Sequence, residues 1–240
     1  MFTRSEIDFT TLTVLPIYYA RSVEIFVVCL LIRLLIVRVQ FIDEKIADHL
    51  KFMKRRCLGL SDEQVRMEVK NLNNTQRTLK NLKMRELAEA YNIIGETCIK
   101  INEVFNFKIL MTIISTFLIV IVSIWTSLYY FKNNLRLDIV IRIIISCAIE
   151  ILNIGILCSY CELLVLSQKH IKIIVNEIIM NYNLCNILRN EAKMFMYLLD
   201  IWPLQIFIYG MVQVDIKLML KFISVATTYL VVAIQISRLI

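Results

Sequence analysis

The chain has 240 residues, of which 58% are hydrophobic and 20% charged, with a mean hydropathy of +0.68 and a formal net charge of +7. A soluble domain is typically about 45–50% apolar and about 25% charged, so a soluble enzyme, a collagen-like chain and a disordered chain are all disfavoured. Four glycines and two prolines are too few for a fold of short strands and tight turns, which leaves a helical protein whose apolar surface uses lipid as its solvent.

The first apolar stretch, about residues 11–37, is long enough to span a bilayer core, which takes about 20 residues. It carries Arg21, Glu24 and Arg33. Arg21 and Glu24 are three apart, share a helix face and can pair, while Arg33 can snorkel to the inner interface. Residues 38–108 are charged, with 14 of the 27 Lys and Arg and 10 of the 20 acids. Within them Ser61 and Gln64 are spaced as a capping box. Leu79, Leu82, Leu87, Tyr91, Ile94, Cys98, Ile101 and Phe105 recur at helical spacing and form one apolar face of a long helix.

The clearest span is 109–131, which is free of charge and has Trp125, Tyr129 and Tyr130 at its far interface. The short link Lys132–Asp138 makes the next span, 139–166, an antiparallel neighbour. That span holds Arg142, Glu150 and Glu162. A charge near mid-membrane is costly, so Glu150 is expected to face the bundle or water rather than lipid. Residues 167–217 read as a second cytosolic helical segment, in which Met194–Ile216 is apolar but interrupted by Asp200, Pro203 and Asp215. The last span is 218–240, with an uncharged centre from Phe222 to Ser237.

The expected fold is therefore an all-α membrane protein, a single membrane domain of four transmembrane helices with long cytosolic helical segments. Placing both charged segments inside, as the positive-inside rule favours, puts the N- and C-termini outside. The mixed signs do not make an Arg/Lys stripe interleaved with aromatics, so nucleic acid is not an expected partner. Seven cysteines divided between apolar and polar segments are not a disulfide framework. Cys158-x-x-Cys161 lacks a second pair or a nearby histidine, so neither metal nor cofactor is expected. His49 and His170 stand in polar segments with no nucleophile motif around them, and no enzyme is read from the chain.

The last span contains Thr228-Tyr229-Leu230-Val231-Val232-Ala233-Ile234-Gln235-Ile236. This resembles the Thr-Tyr, five hydrophobics, Gln-Phe signature that ends insect gustatory receptors, with Ile236 in the place of Phe. Upstream, Phe207-Ile208-Tyr209-Gly210-Met211-Val212-Gln213-Val214-Asp215 is similar to the block that precedes the last span in that family. Tyr91–Leu110, with Ile101-Asn102-Glu103-Val104-Phe105, resembles the family's cytosolic helix leading into its fifth membrane helix. Together these motifs cover about Phe41 to Ile236.

The resemblance implies a seven-helix chemoreceptor, of which the four spans here correspond to helices four to seven, the first three being absent from what is expected to be a partial chain. It implies a plasma-membrane, tetrameric cation channel subunit, alone or mixed with related receptors, that opens to small-molecule tastants. The conducted ions would be monovalent, with divalent cations as a further option. It also implies a gate at Gln235 and Ile236 and a split last helix, with Asn102, Phe105, Gly210 and Asp215 in the cytosolic anchor.

Thr228, Val232 and Gln235 share a face, beside Tyr229 and Ile236. That face either lines a water path or packs helix to helix, with Gln235 as an interhelical hydrogen-bonding residue. The family's ligand pocket would involve Tyr18, Arg21, Glu24, Trp125, Tyr129, Arg142, Ser146 and Glu150. The other reading of these residues is an aromatic interface belt with a buried Arg21–Glu24 pair. Correspondingly, the alternative function is a non-conducting membrane scaffold or an orphan fragment of the same family.

Overall fold

A computed structural model describes residues 4–59, 74–132, 137–182, 184 and 186–239. The chain is almost entirely helical. In order come α1 (Arg4–Gly59), α2 (Asn74–Lys132), α3 (Leu137–Met180), α4 (Asn186–Ile201), a hairpin of β1 (Phe207–Ile208) and β2 (Val212–Gln213), and α5 (Ile216–Leu239). Among the described residues four stretches, Tyr19–Asp48, Arg85–Tyr130, Val140–Met180 and Ile216–Ile236, are long and apolar enough to cross a membrane. The proposed capping box at Ser61–Gln64 and the centre of the Lys132–Asp138 link lie outside the described residues.

Two compact units divide the chain, and the three long helices contribute to both. The first unit takes residues up to Ile32, Asn102–Glu162 and Ile206 onward. It contains the whole uncharged stretch of α2 and all of α5. Its interior is built from Ile25, Val28, Cys29 and Ile32 of α1, Ile109, Thr112, Thr116 and Val120 of α2, and Ile154, Leu157, Cys158 and Cys161 of α3. These sets recur at three- and four-residue steps, which is the spacing that keeps one stripe of a helix against its neighbours. The opposite faces carry exposed Phe26, Leu30, Leu118, Val122, Ile144, Ile145 and Leu152. Such apolar surface is what a lipid solvent accepts and water does not.

The second unit takes Arg33–Ile101 and Leu163–Gln205. Leu35, Ile36, Val39, Ile42 and Ile46 of α1 form one buried stripe, and Leu164, Gln168, Ile171, Val175 and Ile178 of α3 form another. Ala192, Phe195 and Leu199 bury the inner face of α4. On α2 the expected apolar face is realised at Tyr91, Ile94 and Cys98, while Leu87, Ile101 and Phe105 are half-buried. The Tyr91 ring meets the Phe195 ring edge-on at 5.8 Å between centroids.

Gly95 is where α2 lets the chain after α4 come close. A Cβ built there would lie 2.7 Å from Cβ of Trp202 and 2.8 Å from its Cγ. Those atoms are near the backbone and cannot swing aside. Gly95→Ala is expected to destabilise the protein by about 1–3 kcal/mol through forced repacking, read as a lower midpoint of thermal unfolding in detergent. An unchanged midpoint would show that Trp202 has another place to go.

The Met194–Ile216 stretch, apolar but interrupted in the sequence, is not one helix. α4 ends at Ile201, immediately before Trp202-Pro203, because proline supplies no N–H and disfavours helix in the residue before it. The helical reading of 167–217 therefore needs correction at its end, where a two-stranded antiparallel hairpin pairs Phe207 with Gln213 and Ile208 with Val212. Its turn closes through the Met211 N–H donating to the Ile208 carbonyl at 3.0 Å. Tyr209 and Gly210 both adopt positive φ, 49° and 68°. Gly210 does so freely, whereas a side chain at Tyr209 costs about 1 kcal/mol there.

Candidate functional site

In the first unit, the costliest residues for a lipid environment are brought together. Arg21 of α1 meets Glu150 of α3, Nη2 to Oε2, at 2.5 Å. Both side chains are largely withdrawn, with 14% of Arg21 and 3% of Glu150 exposed. The same guanidinium donates to Oγ of Ser115 at 2.9 Å and also to Oγ1 of Thr116, both on α2. The Thr116 hydroxyl in turn donates to Glu150 at 3.5 Å. One cation, one anion and two hydroxyls from three helices thus satisfy one another where water is scarce. Only Nε of Arg21 is buried without a partner in this cluster.

The sequence-based pairing of Arg21 with Glu24 is not what forms. Glu24 is half-exposed and takes Lys108 of α2 at 2.8 Å. Residues three apart can touch on one helix, but a buried guanidinium is stabilised most by a partner that is itself withdrawn from water. Glu150 is that withdrawn, whereas the Glu24 side chain is 48% exposed. Asn153, one turn further along α3, adds a 3.4 Å contact to Ser22 Oγ.

Of the expected pocket residues, the structure joins Arg21 and Glu150 and sets Glu24 apart with Lys108. Arg142 and Ser146 are exposed on α3. Trp125 and Tyr129 are exposed on α2, with Tyr129 stacked edge-on to Tyr130 at 5.9 Å. Tyr18 falls in α1, and its side chain lies outside the described residues. Ser115 and Thr116 were not singled out from the sequence. Their signal is weak, since the same uncharged run also holds Thr112, Ser123 and a second adjacent hydroxyl pair, Thr126 and Ser127.

α5 carries the expected gate residues and is the least covered of the long helices. Among its described residues only Phe222 and Ala233 are buried. Phe117 of α2 packs edge-on against both Phe222 and Tyr229, at 6.0 and 5.6 Å between centroids. Tyr229 is therefore turned toward α2. At about 100° per residue, Ser224, Thr228 and Gln235 fall within about 40° of one another on the side opposite Phe222 and Ala233. All three are exposed, as is Val232 on the flank; Ile236 is exposed as well but lies about 20° round the helix from Tyr229, on the side toward α2. The Thr228 hydroxyl donates to the Ser224 carbonyl at 3.0 Å and that of Thr227 to the Ile223 carbonyl at 2.8 Å. Their donors are spent within the helix, and their oxygen lone pairs remain outward.

The expected anchor residues gather around the hairpin. Asn102 Oδ1 accepts the N–H of Phe207 at 3.1 Å, and Asn106 Oδ1 accepts that of Tyr209 at 2.7 Å. Gly210 forms the turn, and Asp215 caps α5 by accepting the N–H of Leu218 at 2.8 Å. Phe105 is half-buried nearby in the sequence and makes none of these bonds.

In the second unit a buried polar hub centres on Gln168. Its Nε2 donates to Tyr91 Oη at 2.8 Å, to the Leu199 carbonyl at 2.9 Å and to the Trp202 carbonyl at 3.0 Å. Its Oε1 accepts the Leu204 N–H at 3.1 Å. The Tyr91 hydroxyl donates to the Trp202 carbonyl at 2.9 Å. Burial raises the Tyr91 phenol above its ordinary pKa, so it stays a neutral donor. At the surface of this unit His170 pairs with Asp43 and Lys172 with Asp200.

A family model described as 7tm Chemosensory receptor matches residues 2–239 of the chain. No curated protein matches it.

Proposed function

This chain belongs to the 7tm chemosensory receptor family, and on that premise we propose that it is a gustatory receptor subunit forming a cation channel opened by small-molecule tastants. It is a chemoreceptor with several helices able to cross the membrane, and its family is one of receptors rather than enzymes. The proposal extends this to the plasma membrane, with the charged segments cytosolic, the C-terminus extracellular, and four subunits, identical or related, around one axis.

One observation carries the conducting role. α5 turns Phe222 and Ala233 inward and leaves Ser224, Thr228 and Gln235 on its opposite face. A polar stripe is poorly placed against acyl chains. It suits a water path, in which rings of apolar residues gate by dewetting and polar rings admit hydrated ions. In such a ring Gln235 contributes amides at the outer end and Val232 contributes apolar bulk on its flank, with Thr228 one to two turns below.

The detection site is placed among the outer halves of the helices, where Trp125, Tyr129, Arg142 and Ser146 offer aromatic surface and a few polar groups to a small organic ligand. The Arg21–Glu150 cluster would tie α1, α2 and α3 together beneath it, so that a ligand moving one helix moves the others.

The test is reactivity and current together. Gln235→Cys and Thr228→Cys are expected to react with a water-soluble thiol reagent, and Ala233→Cys to stay protected. Gln235→Ala is expected to change single-channel conductance about twofold or more. Protection at both polar positions in every state, with wild-type currents in Gln235→Ala, would overturn the pore assignment. It would favour the packing role and a non-conducting membrane scaffold instead.

A further inference from the structure

The hairpin before α5 keeps apolar side chains uncovered although it belongs to no long helix. Met211 is 80% exposed, Tyr209 50% and Val212 43%, whereas Ile208 and Val214 beside them are buried. The strands are held from behind, through the side-chain oxygens of Asn102 and Asn106 and the Val214 N–H donating to the Ile206 carbonyl at 2.9 Å. The tip is thus fixed, apolar and outward. It also retains a tyrosine at positive φ, where an asparagine or glycine would relieve the backbone.

The depth of the tip is set by two neighbours. On α2, Asn106 lies three residues, or about 5 Å, before Ile109, where the uncharged run begins. On α5, Lys217 and Lys221 precede the uncharged run that starts at Phe222. Both helices change from charged to uncharged beside the hairpin. That level matches the polar layer of a bilayer, about 5–7 Å thick on each side of a core of about 30 Å. Tyrosine is favoured in this layer because its ring is apolar and its hydroxyl polar. Lys217 and Lys221 are both exposed, are four apart on one face, and can reach the phosphates of anionic lipids.

We propose that the Tyr209–Val212 tip is a membrane-interface anchor that inserts Tyr209 and Met211 at the bilayer surface, with Lys217 and Lys221 holding the phosphates of anionic lipid headgroups beside it. The inference rests on the reading that α2 and α5 cross the membrane and is independent of conduction. Because the hairpin runs directly into the Asp215 cap, the anchor holds the first turn of α5 at a fixed depth.

The full chain is reconstituted in nanodiscs of phosphatidylcholine, with and without phosphatidylserine. A photoreactive p-benzoylphenylalanine replaces Met211, or Leu118 in the middle of the uncharged run of α2, and adducts are identified by mass. Lipid adducts are expected at both positions. Phosphatidylserine is expected to raise the yield at position 211 several-fold, and the double variant Lys217→Gln/Lys221→Gln to abolish that rise. Lipid adducts at position 118 with none at 211, or adducts at 211 to a second copy of the chain, would overturn the anchor while leaving the spanning helices intact. A yield at 211 indifferent to phosphatidylserine would overturn the anionic-lipid assignment. Absence of lipid adducts at both positions would overturn the spanning reading together with the anchor.

Discussion

Glu150→Leu in the full chain is expected to cost about 3–5 kcal/mol of stability, because it leaves the Arg21 guanidinium buried without its anion. The two groups are 2.5 Å apart, with Glu150 almost wholly withdrawn and Arg21 nearly so. Ser115 and Thr116 remain as acceptors, but two hydroxyls do not neutralise a cation in a low-dielectric surrounding. Arg21→Leu is expected to be damaging for the mirror reason, since it leaves the carboxylate with the Thr116 hydroxyl alone among its described partners. The double variant Arg21→Leu/Glu150→Leu removes both charges and replaces them with groups suited to an apolar interior. It is expected to recover most of the loss, since replacing a buried pair by apolar residues is often close to neutral. The measurement is the thermal midpoint of the purified protein in detergent for wild type, both single variants and the double. Additive losses in the double variant would mean that the two residues act separately and that the pairing is not what stabilises this unit.

The second large effect concerns the other unit. Gln168→Leu is expected to cost about 2–4 kcal/mol, because it strands several buried polar groups at once. The Leu204 N–H loses its acceptor, the Leu199 carbonyl loses a donor, and the Tyr91 hydroxyl and Trp202 carbonyl are left to each other. These groups surround the point where α4 stops and the chain turns at Pro203, so the carbonyls at the helix end depend on this side chain rather than on a continuing helix. Gln168→Glu is a sharper probe. It keeps an acceptor for Leu204 but sets an anion against two carbonyl oxygens, and it is expected to do no better than leucine. Hydrogen exchange at the Leu204 amide reads the effect directly. Continued protection in Gln168→Leu would show that the turn is held by packing of Phe195 and Leu199 instead.

The residues whose roles are least legible in the sequence are those whose partners are distant in the chain. The apolar face of α2 through Tyr91, Ile94 and Cys98 was legible because helix periodicity relates neighbours three and four apart. That Glu150 would avoid lipid was legible from the cost of a charge there, but not that it would face the bundle rather than water. Gln168 left a fainter mark, a single polar residue in the stripe Leu164, Ile171, Val175 and Ile178, and its role as a hub could not be read there. The hairpin was hidden because strands of two residues are too short to show alternation, and its turn uses a tyrosine where a sequence reader looks for asparagine or glycine.

What the sequence by itself determined is the solvent of each segment. Hydropathy over about 20 residues, interfacial aromatics and the distribution of lysine and arginine are local sums, and they locate the helices able to cross a membrane. Only the tertiary structure decided the partners. Arg21 joins Glu150 across 129 positions rather than Glu24 across three, because the free energy of a buried charge depends on which groups the folded helices bring within reach, and neighbours in sequence do not encode that. The same holds for Asn102 and Asn106 under the hairpin and for Gln168 at the end of α4. Each satisfies backbone groups that become unpaired only once the chain has turned, so the need for them exists in three dimensions before it has any sign in one.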